Sequence, residues 1–267
     1  NKQHWTNPKY GFFGQFYQKG DNSRDGYRSS PQTQDQRTKE EVEGVIHLLG
    51  LKRDSSICDC PCGTGRHSIE LARMGFSKVL AVDSNLEQLS VGMEYSHQML
   101  IDSPTFRLGN MLYLKSGSRF DAVINMFFSF GFFETDEENA RVAQNFFEIL
   151  KPGGKFLMHT DVNMARVRNG TYKFKEVRPL KNGETLAIME RFNPRTKRIE
   201  GIWEIGWPKN GGFYGCEAKQ YSVRVYENEE FVDLCKWVGF KDVKVYSDWS
   251  GFPYHEDAEM VIFVAEK

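Results

Sequence analysis

The sequence predicts an α/β protein: a doubly wound, seven-stranded, mostly parallel sheet with an antiparallel β insertion after the fifth strand. Three observations carry this. From residue 37 to residue 160, short apolar runs bounded by turn residues alternate with helical stretches, which is the pattern of βαβ units. A glycine turn, Cys62-Gly63-Thr64-Gly65, joins the first apolar run to a helix, and the second run ends in Asp83. Between residues 172 and 226 helical periodicity gives way to strand-like alternation punctuated by turn dipeptides.

Taken in order, residues 1–36 are polar but carry Trp5, Tyr10, Phe12, Phe13, Phe16, Tyr17 and Tyr27. A disordered tail is poor in such residues, so this arm is expected to fold over a ligand or against another subunit of a homo-oligomer. Residues 37–51 read as an amphipathic helix, with Val42, Val45, Ile46 and Leu49 near helical spacing. The first strand runs into the glycine turn, and residues 69–74 continue as helix. Strand two covers 79–83, followed by a helix over 86–100 that Ser84 or Asn85 can cap. Strand three is 105–108, and strand four, 121–126, is nearly all apolar, as a strand buried on both faces requires. Thr135 and Glu138 form a capping box for a helix over 135–150. Lys151-Pro152-Gly153-Gly154 is expected to turn into strand five, 155–159.

The insertion follows. Lys181-Asn182-Gly183-Glu184 and Asn193-Pro194-Arg195-Thr196 are hairpin turns between strands at 186–192, 199–205 and 220–226. A helix over 228–238 closes at Gly239. Two final strands, 241–248 and 259–266, have no helix between them and should pair antiparallel. The expected organisation is an arm (1–36), an α/β domain (37–165 and 227–267) and an inserted β lid (166–226).

At 267 residues the chain can bury a full core, and its formal charge of −1 gives no basic field for nucleic acid. No apolar run is long enough for a bilayer. The five cysteines, three of them clustered at Cys58, Cys60 and Cys62, read as reduced thiols of a cytoplasmic protein. Strand alternation should turn Cys60 away from the other two, and the spacing lacks that of a zinc knuckle, so no metal site is expected. Arg195, Lys197 and Arg198 read as a solvated hairpin tip.

Gly63 and Gly65 can take positive φ and admit a ligand against the backbone, with helix N–H groups aimed at the same spot. An acid about 20 residues beyond such a turn reaches a ribose. The turn therefore binds a nucleoside. A dinucleotide is one candidate, since Gly63-x-Gly65-x-x-Ser68 nearly fits that fingerprint. However, the third glycine is missing and Arg66-His67 crowd the place of a pyrophosphate, so an oxidoreductase is the weaker reading.

Asp59-Cys60-Pro61-Cys62-Gly63-Thr64-Gly65-Arg66-His67, Asp83, the Phe120-Asp121-Ala122-Val123 strand and Leu150-Lys151-Pro152-Gly153-Gly154 together resemble class I S-adenosylmethionine-dependent methyltransferases. Asn125-Met126-Phe127-Phe128-Ser129-Phe130-Gly131 and Ser222–Tyr226 resemble the bacterial small-molecule branch with an inserted β lid, several of whose members act on amino sugars, amino acids and antibiotic precursors. The resemblance spans residues 40–267. It implies S-adenosyl-L-methionine as cofactor, with Asp59 on the methionine ammonium, Asp83 on both ribose hydroxyls, and Gly63 and Gly65 giving close backbone approach. Cys60, His67 and Ser84 complete that wall. Asn110 stands where the family often has Asp for the adenine amino group, Met111 packs on adenine, and Asn125 and Met126 lie beside the sulfonium. Phe127, Ser129, Phe130 and Tyr10 fall on the acceptor side. His159 and Asp161 are the candidate bases, His67 is a further one, and Tyr17 is a candidate to close over the methyl group. The resemblance implies a small-molecule methyl acceptor, with N-methylation ahead of O-methylation. An RNA methyltransferase and a non-catalytic cofactor-binding scaffold are the alternatives.

Overall fold

The computed structural model describes residues 11–22, 33–114, 117, 120–127, 129–180, 183–208 and 214–267. Tyr10, Trp5, Tyr27 and the first two residues of the 181–184 turn lie outside these. In chain order the first half comprises α1 (Gln15–Asn22), α2 (Gln34–Leu49), β1 (Ile57–Asp59), α3 (Arg66–Arg73), β2 (Val79–Asp83), α4 (Leu86–Gln98), β3 (Thr105–Leu108) and β4 (Phe120–Asn125). The second half comprises α5 (Asp136–Ile149), β5 (Leu150–Thr160), α6 (Met164–Arg168), β6 (Lys175–Pro179), β7 (Thr185–Asn193), β8 (Arg198–Pro208), β9 (Tyr214–Arg224), α7 (Asn228–Val238), β10 (Asp242–Tyr246) and β11 (Val261–Glu266).

The main sheet has seven strands in the order β10-β11-β5-β4-β1-β2-β3. Strands β1 to β5 run parallel to one another, and β11 runs antiparallel to both β5 and β10. Alternation assigns the two faces. Cys58, Val123, Phe156 and Phe263 pack under α5 and α7, while Ile57, Ile124, Leu157 and Ile262 pack under α2 and α3. Helices on both faces explain why strand four is apolar throughout. The chain winds outward from β1 to β3 and then returns to β4, so the switch point lies between β1 and β4. Ligands of open α/β sheets bind at such a crevice, outside the carboxyl ends of the strands.

After β5, four antiparallel strands form a second sheet in the order β6-β7-β8-β9. It docks on the first through β9: a Cβ on Gly131 would lie 2.2 Å from the Arg224 carbonyl oxygen. Arg224 also pairs with Asp136 and Glu230.

Several local expectations are corrected. The strand after α5 begins at Leu150, and residues 151–154 bulge out between the Phe120–Leu150 and Ala122–Lys155 pairings, turning at Gly153 with φ +75°. The Gly153 N–H donates to the Lys267 carbonyl at 2.9 Å, which ties this stretch to the chain just beyond β11. Strand β6 and helix α6 were not expected; neither has a clean periodic pattern, and both are set by packing. Cys60 shares a core cluster with Cys58, while Cys62 packs elsewhere, because β1 ends at Asp59 and strand alternation stops there. Arg198 is half-buried, donating to Ser222 and to the Phe133 carbonyl, so only Arg195 and Lys197 are exposed. Among the described residues no helix is long and apolar enough to cross a membrane.

Candidate active site at the switch point of the sheet

The Cys60–Gly65 loop leaves β1 and turns over the carboxyl end of the sheet. Gly63 and Gly65 have φ of +58° and +74°, a region that side chains with a Cβ disfavour. Space requires them too: a Cβ on Gly65 would sit 2.6 Å from the Phe106 ring, and one on Gly63 would sit 2.9 Å from Gln88 Oε1. Gly65 is the N-cap of α3 and supplies no side-chain cap, and in the first turn the Ser68 N–H donates to the Asp59 carboxylate.

Asp83 faces this loop from the end of β2. Its Oδ2 accepts from the Gly63 N–H and its Oδ1 from the Asn85 N–H, both at 2.8 Å. Burial raises its pKa, and these backbone donors oppose the rise. Asn85 caps α4. The amides of Asn85 and Gln88 both donate to the Phe13 carbonyl at 2.6 Å, fastening the N-terminal segment to the rim. Ser84 lies on the cavity wall beside Asp83.

Asp59 is buried beneath the loop. Its Oδ2 accepts from Ser68 Oγ at 2.6 Å, whereas Oδ1 is buried with no hydrogen-bond partner among the described residues. Burial pushes its pKa up to about 7, against the pull of the Ser68 hydroxyl. An orphaned carboxylate oxygen is costly, and an ammonium is the group that would satisfy it. With the glycine cradle and the Asp83 carboxylate, the donor set fits S-adenosylmethionine: a cation site, a close backbone approach and a ribose acceptor.

The remaining candidates divide between wall and core. Asn110, Met111, Met126, Phe127 and Ser129 line the cavity. Asn110 Oδ1 accepts from the Leu112 N–H at 2.9 Å and so caps a short 3-10 turn. Ser129 Oγ donates to the Met126 carbonyl. Asn125 is fully buried and donates to the Cys60 carbonyl at 2.9 Å, bracing the loop from β4. Cys60 is buried in the core, and burial raises its thiol well above the ordinary value. Phe130 packs into the core against Tyr226 and Phe231, off the cavity wall.

His159, at the end of β5, is also off the wall. Its Nδ1 accepts from the Phe127 N–H at 3.2 Å, which assigns the proton to Nε2. That nitrogen lies 3.4 Å from Asp161 Oδ1, and Asp161 lines the cavity. Phe127 holds the backbone at φ +55°, an uncommon conformation for a large residue, and its ring packs edge-on to His159. His67 lines the cavity and donates Nε2–H to Glu41 at 2.9 Å. Burial, aided by the Arg66 charge, lowers its pKa to about 4, so it is neutral at pH 7. Burial works against ionisation of Glu41, but Arg66 and His67 outweigh it and hold that carboxyl well below the usual range. A neutral imidazole bound to an ionised carboxylate braces α3 against α2.

The cavity has a volume of about 490 Å³, within the rough span of 300–1,000 Å³ for small-molecule sites. Its far wall comes from the lid and the N-terminal segment. Tyr17 stacks on Trp203 with ring centroids 5.2 Å apart, and Phe12 packs on both Trp203 and Tyr221. Glu190 of β7 lies on that wall, accepting from the hydroxyls of Tyr172 and Tyr221. Sequence reasoning did not find Glu41, Glu190, Trp203 or Tyr221. Glu41 carried a signal, since it falls on the same helical face as Val42 and Val45. Glu190 and Tyr221 carried none, because they meet only across two strand pairings.

A parallel sheet with a glycine loop, an acid after β2 and a covered cavity defines a Rossmann-like nucleoside-cofactor enzyme. A family model described as a methyltransferase domain matches residues 51–195, more than half of the chain. The chain belongs to that family, and it is an S-adenosylmethionine-dependent methyltransferase. A glycine/sarcosine N-methyltransferase of Aphanothece halophytica is 25% identical over 233 residues, covering 84% of this chain and 82% of that protein. A dTDP-3-amino-3,4,6-trideoxy-alpha-D-glucopyranose N,N-dimethyltransferase of Streptomyces venezuelae is 34% identical over 100 residues, 38% of this chain and 40% of that one. The crystal structure of an S-adenosylmethionine-dependent methyltransferase from Clostridium acetobutylicum ATCC 824 superposes with a TM-score of 0.73 at 15% identity, covering 94% of this chain and 96% of that chain. That likeness concerns the fold.

Proposed function

We propose that the chain methylates the amino group of a small molecule. The observation that supports this best is the cavity of about 490 Å³ between the Cys60–Gly65 loop and the lid, walled by the rings of Tyr17, Phe127, Trp203 and Tyr221 and of a size that suits a small molecule. The two relatives named above both act on nitrogen, one in an amino acid and one in an amino sugar.

Asp83 holds the ribose, the Gly63–Gly65 backbone approaches the cofactor, and Asp59 receives its ammonium through Oδ1, directly or by way of a water. Asn110 and Met111 flank the adenine. Bound S-adenosylmethionine supplies an electrophilic methyl carbon and a neutral leaving group. The protein's work is then alignment and exclusion of water. The rings of Tyr17, Phe127 and Trp203 close the chamber, and the fixed backbone at Met126-Phe127 sets the approach line. An amine attacks only when neutral. Asp161 faces the chamber and takes its proton, while His159, pinned by the Phe127 N–H, positions that carboxylate.

The test is release of S-adenosylhomocysteine over panels of amino acids, amino sugars, hydroxylated sugars and tRNA. Turnover confined to amines is expected. Turnover on tRNA alone refutes the small-molecule reading, and cofactor binding without turnover on any panel favours a scaffold.

A further inference from the structure

Just beyond β4, Phe127 holds φ at +55°. A residue of that size stays left-handed only where its surroundings over-determine it, and such sites gather where function does. Among the groups around its ring, the Arg66 guanidinium lies 4.8 Å from the centroid, His67 stacks at 5.9 Å and His159 meets it edge-on at 4.8 Å. The backbone is held as well, because the Phe127 N–H donates to His159 Nδ1 at 3.2 Å.

That bond depends on how the imidazole is turned. Histidine χ2 is broad, and a half-turn would put Cδ2 where Nδ1 accepts. One face of the ring is covered by Trp249, with centroids 5.0 Å apart and planes inclined by 34°. A large ring packed against that face resists the turn. Trp249 stands off the cavity wall, buried in the turn between β10 and β11. Asp248 Oδ1 accepts from the N–H groups of Ser250 at 2.9 Å and Phe252 at 3.1 Å, which fixes that turn. On α2, Gly44 leaves the room the indole occupies, since a Cβ there would lie 2.5 Å from Trp249 Cβ. The pairing of β11 with β5, which sets Ile262 opposite His159, brings the turn to the imidazole.

We propose that Trp249 is a positioning residue for methyl transfer: its indole keeps His159 turned so that Nδ1 holds the Phe127 N–H, and with it the wall at Met126-Phe127. This rests on the reading above, in which that wall sets the approach to the cofactor's methyl group, and adds to it a residue outside the cavity. The effect of Trp249 passes through the backbone of Phe127, whichever amine is methylated.

The protein is labelled with ¹⁵N-phenylalanine and ¹⁵N-histidine, and the Phe127 and His159 signals are identified by their loss in Phe127→Leu and His159→Gln. In the unmodified protein Nδ1 of His159 should carry no proton and Nε2 should carry one. Trp249→Leu should speed hydrogen exchange at the Phe127 amide about tenfold, the loss of one neutral hydrogen bond. Trp249→Phe, which keeps an aromatic face, should restore most of the protection. The second probe is [methyl-¹³C]S-adenosylmethionine. Its bound methyl resonance should move in Trp249→Leu and return in Trp249→Phe, while its Kd stays within about twofold of the parent. A folded Trp249→Leu whose Phe127 amide keeps its exchange rate overturns the proposal. So does an unmoved methyl signal beside a deprotected amide, which leaves Trp249 a structural role only. If Trp249→Leu fails to fold, Gly44→Ala displaces the indole without removing it and is read in the same two ways, and a proton on Nδ1 in the unmodified protein overturns the proposal by itself. Failure to bind S-adenosylmethionine counts instead against the cofactor site, and the amide exchange remains decisive for Trp249.

Discussion

Asp59 is buried with one carboxylate oxygen unsatisfied among the described residues, a position that favours a cation beside it. Its folded pKa of about 7 lies above the ordinary 3.8. As pH rises between these values the unfolded chain loses its proton first, and stability falls across that window. Asp59→Asn should therefore melt higher than the parent above pH 7 and at the same temperature below pH 4. S-adenosylhomocysteine affinity should drop about tenfold to a hundredfold in the same variant, by calorimetry. Glu41 has the opposite sign of effect. It is 3% exposed and compensates Arg66 and Arg37. Glu41→Gln removes the buried carboxylate that Arg37 and Arg66 share and should cost about 3–5 kcal/mol in denaturant unfolding. His67 adds a dependence of its own. With a folded pKa of about 4 against an ordinary 6.5, the unfolded chain takes up the proton first as pH falls. Stability is lost from pH 6.5 down to pH 4.

The elements follow local rules where those rules are strong. Thr135 and Glu138 form the capping box that their spacing announces, and Asn85 caps α4 through its side-chain oxygen. Helix α7 ends at Gly239 as its sequence indicates. The lid obeys a rule of a different kind. Gly201 serves its partners across the sheet, giving Tyr221 room to lie over β8 and reach Glu190. Gly201→Ala should displace that ring, lower the lid's melting transition and reduce acceptor turnover, while S-adenosylhomocysteine affinity stays within twofold of the parent, a difference of roughly 0.4 kcal/mol. Loss of cofactor affinity in this variant would show that the lid and the nucleoside half are not separable. Strand β6 was illegible for the same reason. Its residues alternate only weakly, and it becomes a strand because β7 offers it an edge.

At the scale of the molecule, the N-terminal segment, the loop after β1 and the lid all contribute to one cavity. Ligand binding should therefore stabilise the whole chain. S-adenosylhomocysteine at 100 times its Kd is expected to add about 2.7 kcal/mol, a rise in Tm of roughly 5–10 °C by scanning calorimetry. An unchanged Tm at saturation would show that the loop does not hold the nucleoside. The join between lid and core also acts at this scale. Arg224 bonds to Asp136 and Glu230 where β9 passes Gly131, so the Ser222–Tyr226 motif marks the seam between the two sheets.

The order of the main-sheet strands and their helices, the glycine loop, the acid after β2 and the presence of an antiparallel insertion were determined by the sequence. Each depends on residues close together in the chain, where periodicity, φ preference and capping act. The tertiary structure alone decided that Phe130 enters the core, that His159 stands behind Asp161, and that Glu190 meets Tyr172 and Tyr221 at the cavity. Those contacts join residues brought together by strand pairing and sheet docking, and no local pattern encodes which way a side chain faces once distant strands have met.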